Sequence, residues 1–104
     1  MDQGGTEAAF SAATEVDGDH LLVVVAGEVD MSTAGAMIDA TTEEKARRLT
    51  LDLRQVTFFD SAAIHAVIQL ADRFAAGLAV LPSRQVRRVL EISGLGDQPW
   101  LRPD

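Results

Sequence analysis

The spacing of apolar and polar positions predicts strands in some stretches of the chain and helices in others. A weak strand is predicted from about Ala8 to Glu15, and the turn residues Asp17-Gly18-Asp19 follow it. Leu21–Ala26 is a continuous aliphatic run, which suits a strand buried on both faces. Because only a tight turn separates these two stretches, we expect the chain to open with an antiparallel hairpin.

After this hairpin the pattern alternates between helices and strands. The predicted elements are a helix over 33–46, a strand over 48–54 with 56–59 leading out of it, a helix over 61–76, a strand over 78–81 and a helix over 84–93. The first of these helices has a weak pattern around Thr41-Thr42, where it could end early. The helix over 61–76 has the clearest period, and we expect four large residues to dock it: Ile64, Val67, Ile68 and Phe74.

The element order β-β-α-β-α-β-α predicts an α/β fold with a mixed sheet of four to five strands packed with helices. We expect one domain over 8–104, preceded by a flexible tail over 1–7. Strands joined by crossover helices run parallel, so their ends and the loops that follow gather at one rim of the sheet. Asp30 and the pair Asp60-Ser61 are therefore expected at the same rim, although thirty residues separate them.

Charge and composition narrow the functional classes. The 104 residues carry a net charge of −7, which argues against nucleic-acid binding, and the basic run over 84–88 suits a solvated helix face. The absence of cysteine excludes disulfides and thiolate chemistry. The N-terminus lacks the pattern of a secretory signal, and the longest apolar run, Leu21–Ala26, is too short for a membrane span. A cytoplasmic protein is expected.

Two groups of residues are candidates for enzymatic or metal chemistry. Asp30, Asp52 and Asp60 could form a metal or phospho-acceptor pocket, but Asp52 lies between two leucines, which would turn it away from the other two. Ser61 and His65 are four residues apart on one predicted helix, yet no orienting group or nucleophile elbow accompanies them. The residues predict no catalytic site, metal or cofactor.

Ser61 is the most informative position, and its place allows two interpretations. A serine at a strand-to-helix junction commonly caps the helix, which stabilises it by about 1 kcal/mol. The same place lies beside free backbone N–H groups at the positive end of the helix, which favours a phosphate. Asp60 could cap equally well, so position alone leaves both interpretations open.

Four segments in order resemble the STAS domain, and within it the bacterial anti-sigma factor antagonists. They are GEVDMSTA at Gly27–Ala34, DLRQVTFFDSAAI at Asp52–Ile64, GLAVL at Gly77–Leu81 and VRRVLEISGL at Val86–Leu95. The resemblance covers about 8–101 and implies a regulatory binding module, not an enzyme. Such a module binds an ATP-dependent anti-sigma factor kinase and so frees a sigma factor for transcription. Phosphorylation of a serine ends the binding, and a phosphatase resets the module.

The resemblance also implies roles for particular residues. Ser61 matches the phosphorylated serine, Asp60 the residue before it, and Asp30 an acidic residue that helps recognition. The family usually continues with Ser or Thr and then Gly, where this chain has Ala62 and Ala63, and it often has a small residue where His65 stands. The predicted partner-binding residues are accordingly Asp30, Asp60, Ser61, Ala62, Ala63 and His65. The departures bear on the choice of partner and on the efficiency of phosphorylation.

A second function remains compatible with the same resemblance. A STAS scaffold or accessory subunit of a transport or stress-signalling complex would bind constitutively, and Ser61 would then be only a cap or a contact residue. A nucleotide-binding role has less support, because the chain has no glycine-rich phosphate loop.

Overall fold

The computed structural model describes residues 10–103, which form one four-stranded sheet and three α-helices. The elements in chain order are β1 (Phe10–Asp17), β2 (His20–Val29), α1 (Ala34–Asp39), β3 (Arg48–Phe59), α2 (Ser61–Phe74), β4 (Leu78–Pro82) and α3 (Arg84–Ile92). The strands lie in the order β1-β2-β3-β4, with β1 antiparallel to β2 and the other pairs parallel. The predicted mixed α/β fold and opening hairpin are confirmed. The predicted tail over 1–7 lies outside the described residues.

The helices pack on one face of the sheet. Alternate residues of β2, β3 and β4, such as Leu21, Leu51 and Val80, are fully buried and form one hydrophobic cluster with the buried residues of α1, α2 and α3. The intervening residues of β2, Leu22 and Val24 among them, are only partly buried. The prediction that this strand is buried on both faces is therefore wrong, because helices cover only one of them.

Two elements, α1 and β3, have other bounds than the predicted ones. α1 ends at Asp39, before the weak stretch at Thr41-Thr42, where the buried Thr41 hydroxyl donates to the carbonyl of Ile38 at 2.6 Å. β3 runs unbroken from Arg48 to Phe59, so the two predicted strand pieces are one strand of 12 residues. Among the described residues, no helix has the length and apolar composition needed to cross a membrane.

α2 docks on the sheet through three of the four predicted residues. Val67 is fully buried, Phe74 nearly so, and Ile64 is partly buried against the core. Ile68 is 38% exposed, which contradicts the prediction for that residue. The buried side of the helix also includes three residues outside the predicted set: Ala63, Ala66 and Leu70.

The strand ends form the predicted rim. Val29 and Phe59 are paired across the parallel strands β2 and β3, and the next amide, Asp60 N–H, donates to the carbonyl of Val29 at 3.3 Å. Asp30 and Asp60 thus leave adjacent strands at the same end of the sheet. The prediction that Asp30 and Ser61 share a rim is confirmed.

Candidate functional site

At the end of β2, Asp30 is the centre of a compact hydrogen-bonded turn. Its Oδ1 accepts from the backbone N–H of Ser32 at 2.9 Å, from the Ser32 hydroxyl at 2.8 Å and from the Thr33 hydroxyl at 3.2 Å. These hydrogen bonds, led by that of the Ser32 hydroxyl, hold the pKa of the Asp30 carboxyl below its ordinary value. Asp30 is therefore a fixed negative charge at neutral pH.

At the end of β3, Asp60 is the cap of α2. Its backbone is extended, and its side chain accepts from the backbone N–H of Ala63 at 3.1 Å, as an N-cap residue does. Ser61 is thereby the first residue of the helix and is exposed, and its hydroxyl makes no hydrogen bond within the described residues. The structure decides between the two capping candidates in favour of Asp60.

The remaining predicted partner-binding residues differ in accessibility. His65 is exposed on the second turn of α2, and Ala62 is partly buried. Ala63 has no exposed surface, because its methyl group points into the core. The prediction that Ala63 touches a partner is wrong for its side chain, and its methyl group cannot obstruct a partner's approach.

Two apolar side chains at this rim are exposed although the sequence analysis did not predict it. Met31, directly after Asp30, is 85% exposed, and Phe58, which pairs with Glu28 across the strands, is 49% exposed. The sequence does indicate that one of Phe58 and Phe59 is exposed, because adjacent strand residues point to opposite faces and only one of the two can reach the core. We define the rim surface as the half-buried Asp30 together with four exposed residues: Met31, Phe58, Ser61 and His65.

The other constellations do not assemble into chemical sites. Asp52 lies on the sheet face without helices, where Arg54 donates to both its carboxylate oxygens at 2.9 and 2.8 Å. The Arg54 hydrogen bonds lower the pKa of Asp52, and the same pairing raises that of Arg54. Within residues 10–103 no three His, Cys, Asp or Glu side chains are arranged to hold a metal, and no hydrogen bond joins Ser61 to His65.

The fold and the order of motifs define an α/β domain of known type. The family model for the STAS domain matches residues 11–104, so the chain belongs to the STAS domain family. No curated protein shows a significant match to this chain.

Solved structures of similar fold include anti-sigma factor antagonists. The antagonist from Mycobacterium paratuberculosis is 25% identical with a TM-score of 0.79, over 94% of this chain and 89% of that one. SpoIIAA in its unphosphorylated form is 24% identical with a TM-score of 0.68, over 90% and 86%. The phosphorylated form of SpoIIAA, described as a Bacillus cell fate determinant, is 22% identical with a TM-score of 0.60, over 90% and 89%. The last two likenesses concern the fold.

Proposed function

We propose that this protein is an anti-sigma factor antagonist that acts in the cytoplasm by binding an anti-sigma factor kinase, and that phosphorylation of Ser61 ends the binding. The observation that carries this proposal is that the cap of α2 and the candidate phosphate acceptor are different residues. Asp60 caps the helix, so the hydroxyl of Ser61 is exposed and makes no structural hydrogen bond in the described residues. Membership of the STAS family and the likeness to the mycobacterial antagonist support it.

The rim surface has the composition of a protein-binding site. Exposed large apolar side chains are enriched in the centres of protein interfaces, and Met31 and Phe58 are two of the few such side chains in the described chain. Asp30 lies beside Met31 and adds a carboxylate whose orientation is fixed by Ser32 and Thr33. A partner can therefore recognise an apolar contact and a charged contact together, next to the serine that it modifies.

Electrostatics explain how one phosphate can end the complex. In the kinase reaction the Ser61 oxygen takes the terminal phosphoryl group of ATP and ADP leaves, which adds about −1.5 to −2 charges. The helix N-terminus offsets this charge by about 0.3–1 kcal/mol at an exposed site. Within an interface that covers Ser61, the new charge is desolvated near Asp30 and Asp60, at a cost of several kcal/mol. The unfavourable contribution is the larger, so the partner is released, and hydrolysis of the phosphoserine by a phosphatase restores binding.

The decisive experiment combines phosphosite mapping with calorimetry. The protein is incubated with candidate anti-sigma factor kinases and ATP, and mass spectrometry is expected to find phosphate on Ser61 alone. With the kinase that modifies it, Ser61→Ala is expected to bind as the wild type does, and Ser61→Glu at least tenfold more weakly, a loss of about 1.4 kcal/mol or more.

Gln69→Glu is the matched control, because it adds the same charge to an exposed position of α2 two turns away. This variant should bind like the wild type. If Ser61→Ala, Ser61→Glu and the wild type all bind equally, the switch is refuted and a constitutive STAS scaffold or accessory subunit is the better description.

A further inference from the structure

The two edge strands of the sheet, β1 and β4, differ in what pairs with their outer edges. On β4, the C-terminal segment pairs with the outer edge: Val80 N–H donates to the carbonyl of Trp100 at 2.8 Å, and Arg102 N–H donates to the carbonyl of Val80 at 3.0 Å. On β1, no other strand of the described chain pairs with the outer edge. Within residues 10–103, one edge is covered and the other has no strand paired with it.

β1 also lacks most of the features that usually keep a free edge from pairing; its two charged residues, Glu15 and Asp17, are the exception. Natural edge strands are protected by lysine, proline, a bulge or short length. β1 has eight residues, contains no Lys, Arg or Pro, and pairs with β2 in an uninterrupted register from Phe10 to Asp17. Every residue after Phe10 is exposed, including Val16, which is 54% exposed although it lies on the face that the helices cover elsewhere.

We propose that this edge binds a second copy of the chain, with the two β1 strands antiparallel around a twofold axis at Ala13, so that the two sheets become one of eight strands. The axis must be perpendicular to the sheet, because only then are the paired strands antiparallel. Both helical layers then lie on the same side. Residues opposite each other must share a face, which restricts the pairing to residues whose numbers are both odd or both even.

Among the registers that meet this condition, the one centred on Ala13 pairs the two largest apolar side chains of β1, Phe10 and Val16. It places Val16 of each copy opposite Phe10 of the other, on the face where Phe10 already packs against the core. It places Thr14 opposite Ala12, two small side chains. The exposed Val16 thus acquires an apolar neighbour, and cross-strand pairs of this kind stabilise sheets.

Charge favours the same register. Glu15 lies opposite Ser11 of the other copy, and the two Glu15 side chains are about 14 Å apart along the strands, at 3.4 Å per residue. A register centred on Glu15 would place two like charges face to face, which is destabilising. A register centred on Thr14 leaves Phe10 beyond the end of the paired segment.

Sedimentation equilibrium tests the association. The wild-type chain of 11.1 kDa is expected to show a concentration-dependent rise toward twice that mass. A pairing limited to one strand edge buries less than a standard interface, so the dimer should dissociate in the micromolar range or above, at roughly 10 µM to 1 mM. A single species of monomer mass across this range would refute the proposal.

Two lysine variants on the same strand test the register. Ala13→Lys places two lysines opposite each other at the axis, and the dimer should weaken about tenfold. Ser11→Lys places each lysine opposite Glu15 of the other copy, so association should be unchanged or stronger. Both positions are exposed on the same face of β1, and both variants add one charge, so a change of the same sign in both variants overturns the proposed register.

Cross-linking gives a readout that does not depend on charge. The chain has no cysteine, so Ala13→Cys introduces a single thiol at the axis, where the two Cβ atoms are about 4.5–5.5 Å apart. A short bis-maleimide should join the two copies. Asp17→Cys is the control, because its thiols would be about 27 Å apart in this register. Equal cross-linking of both variants, or of neither, would contradict the proposal. The test is independent of Ser61 and of any kinase.

Discussion

The two sides of α2 differ in burial and in composition, although they belong to one helix of 14 residues. The side toward the sheet is apolar and buried, and consists of Ala63, Ala66, Val67, Leu70 and Phe74. The other side carries exposed residues that bury little: Ser61, His65 and Ile68. The comparison shows where a change of charge would disturb the core least. A charge added at Ser61 would lie on the side that contributes little to the core.

In the proposed switch, the cap and the phosphate acceptor are neighbouring residues. Asp60 satisfies the Ala63 N–H at the start of α2, so the helix does not depend on the Ser61 hydroxyl. A serine that both capped the helix and accepted phosphate would lose its capping geometry on modification. The proposal assigns the two roles to adjacent side chains, and the following predictions test how complete that separation is.

The largest effect is expected from Phe74→Ala on the buried side. Phe74 is 6% exposed, and truncation of a buried phenylalanine costs about 3–5 kcal/mol through lost transfer free energy and a residual cavity. Chemical denaturation followed by circular dichroism measures the loss. Ile68→Ala on the exposed side is the control, and its loss should stay below about 1 kcal/mol. Similar losses in both variants would show that the two sides do not differ in this way.

The next effect concerns the cap. Asp60→Ala should reduce the free energy of unfolding by about 1 kcal/mol, within the range of 0.5–2 known for N-caps, because the Ala63 N–H loses its acceptor. Ser61→Ala should leave stability within about 0.5 kcal/mol of the wild type, since the hydroxyl makes no cap bond. If instead Ser61→Ala is the more destabilising variant, the assignment of the cap is wrong.

The sequence was sufficient for those features that depend on local pattern and chain connectivity. The strand after the Asp-Gly-Asp turn, the junction at Asp60-Ser61 and the termination of α2 before Leu78 all follow from periodicity and breakers. The shared rim of Asp30 and Asp60 followed from the crossover rule, because parallel strands end at the same side.

Features that depend on packing could not be obtained in this way. The period of α2 predicted Ile68 as a docking residue, but Ala63 is buried and Ile68 is 38% exposed, and only the assembled core reveals that difference. The exposed Met31 likewise follows from the path of the turn after β2, which hydrophobic pattern does not encode. The choice of Asp60 over Ser61 as cap required backbone angles, because both residue types are good caps.

Phosphorylation itself should have a smaller effect on stability than removal of the cap. The phosphate on Ser61 lies at the positive end of α2, where a negative charge gains about 0.3–1 kcal/mol, and Asp60 beside it opposes part of that gain. The phosphorylated and unmodified proteins should therefore have nearly the same thermal midpoint and the same far-ultraviolet circular dichroism. Loss of helical signal on phosphorylation would mean that the partner is released by unfolding of α2 and not by charge.

The smallest effect on stability is expected at Asp30, which lies on the rim surface and outside the core. Asp30→Asn should weaken binding of the kinase but leave thermal stability at neutral pH nearly unchanged, because the carboxylate lies outside the core and its hydrogen bonds are local. The pKa of Asp30 is lowered from 3.8 by its Ser32 and Thr33 donors, so its small contribution to stability is present above pH 3.8 and is lost as pH falls below that value. Any difference in thermal midpoint between wild type and Asp30→Asn should therefore shrink under acid.

Asp97→Asn, which removes an exposed carboxylate from the C-terminal segment, should change neither binding nor its pH dependence. An Asp30→Asn variant that binds the kinase with wild-type affinity would remove Asp30 from the rim surface as a recognition residue, and recognition would then depend on Met31, Phe58 and the serine itself.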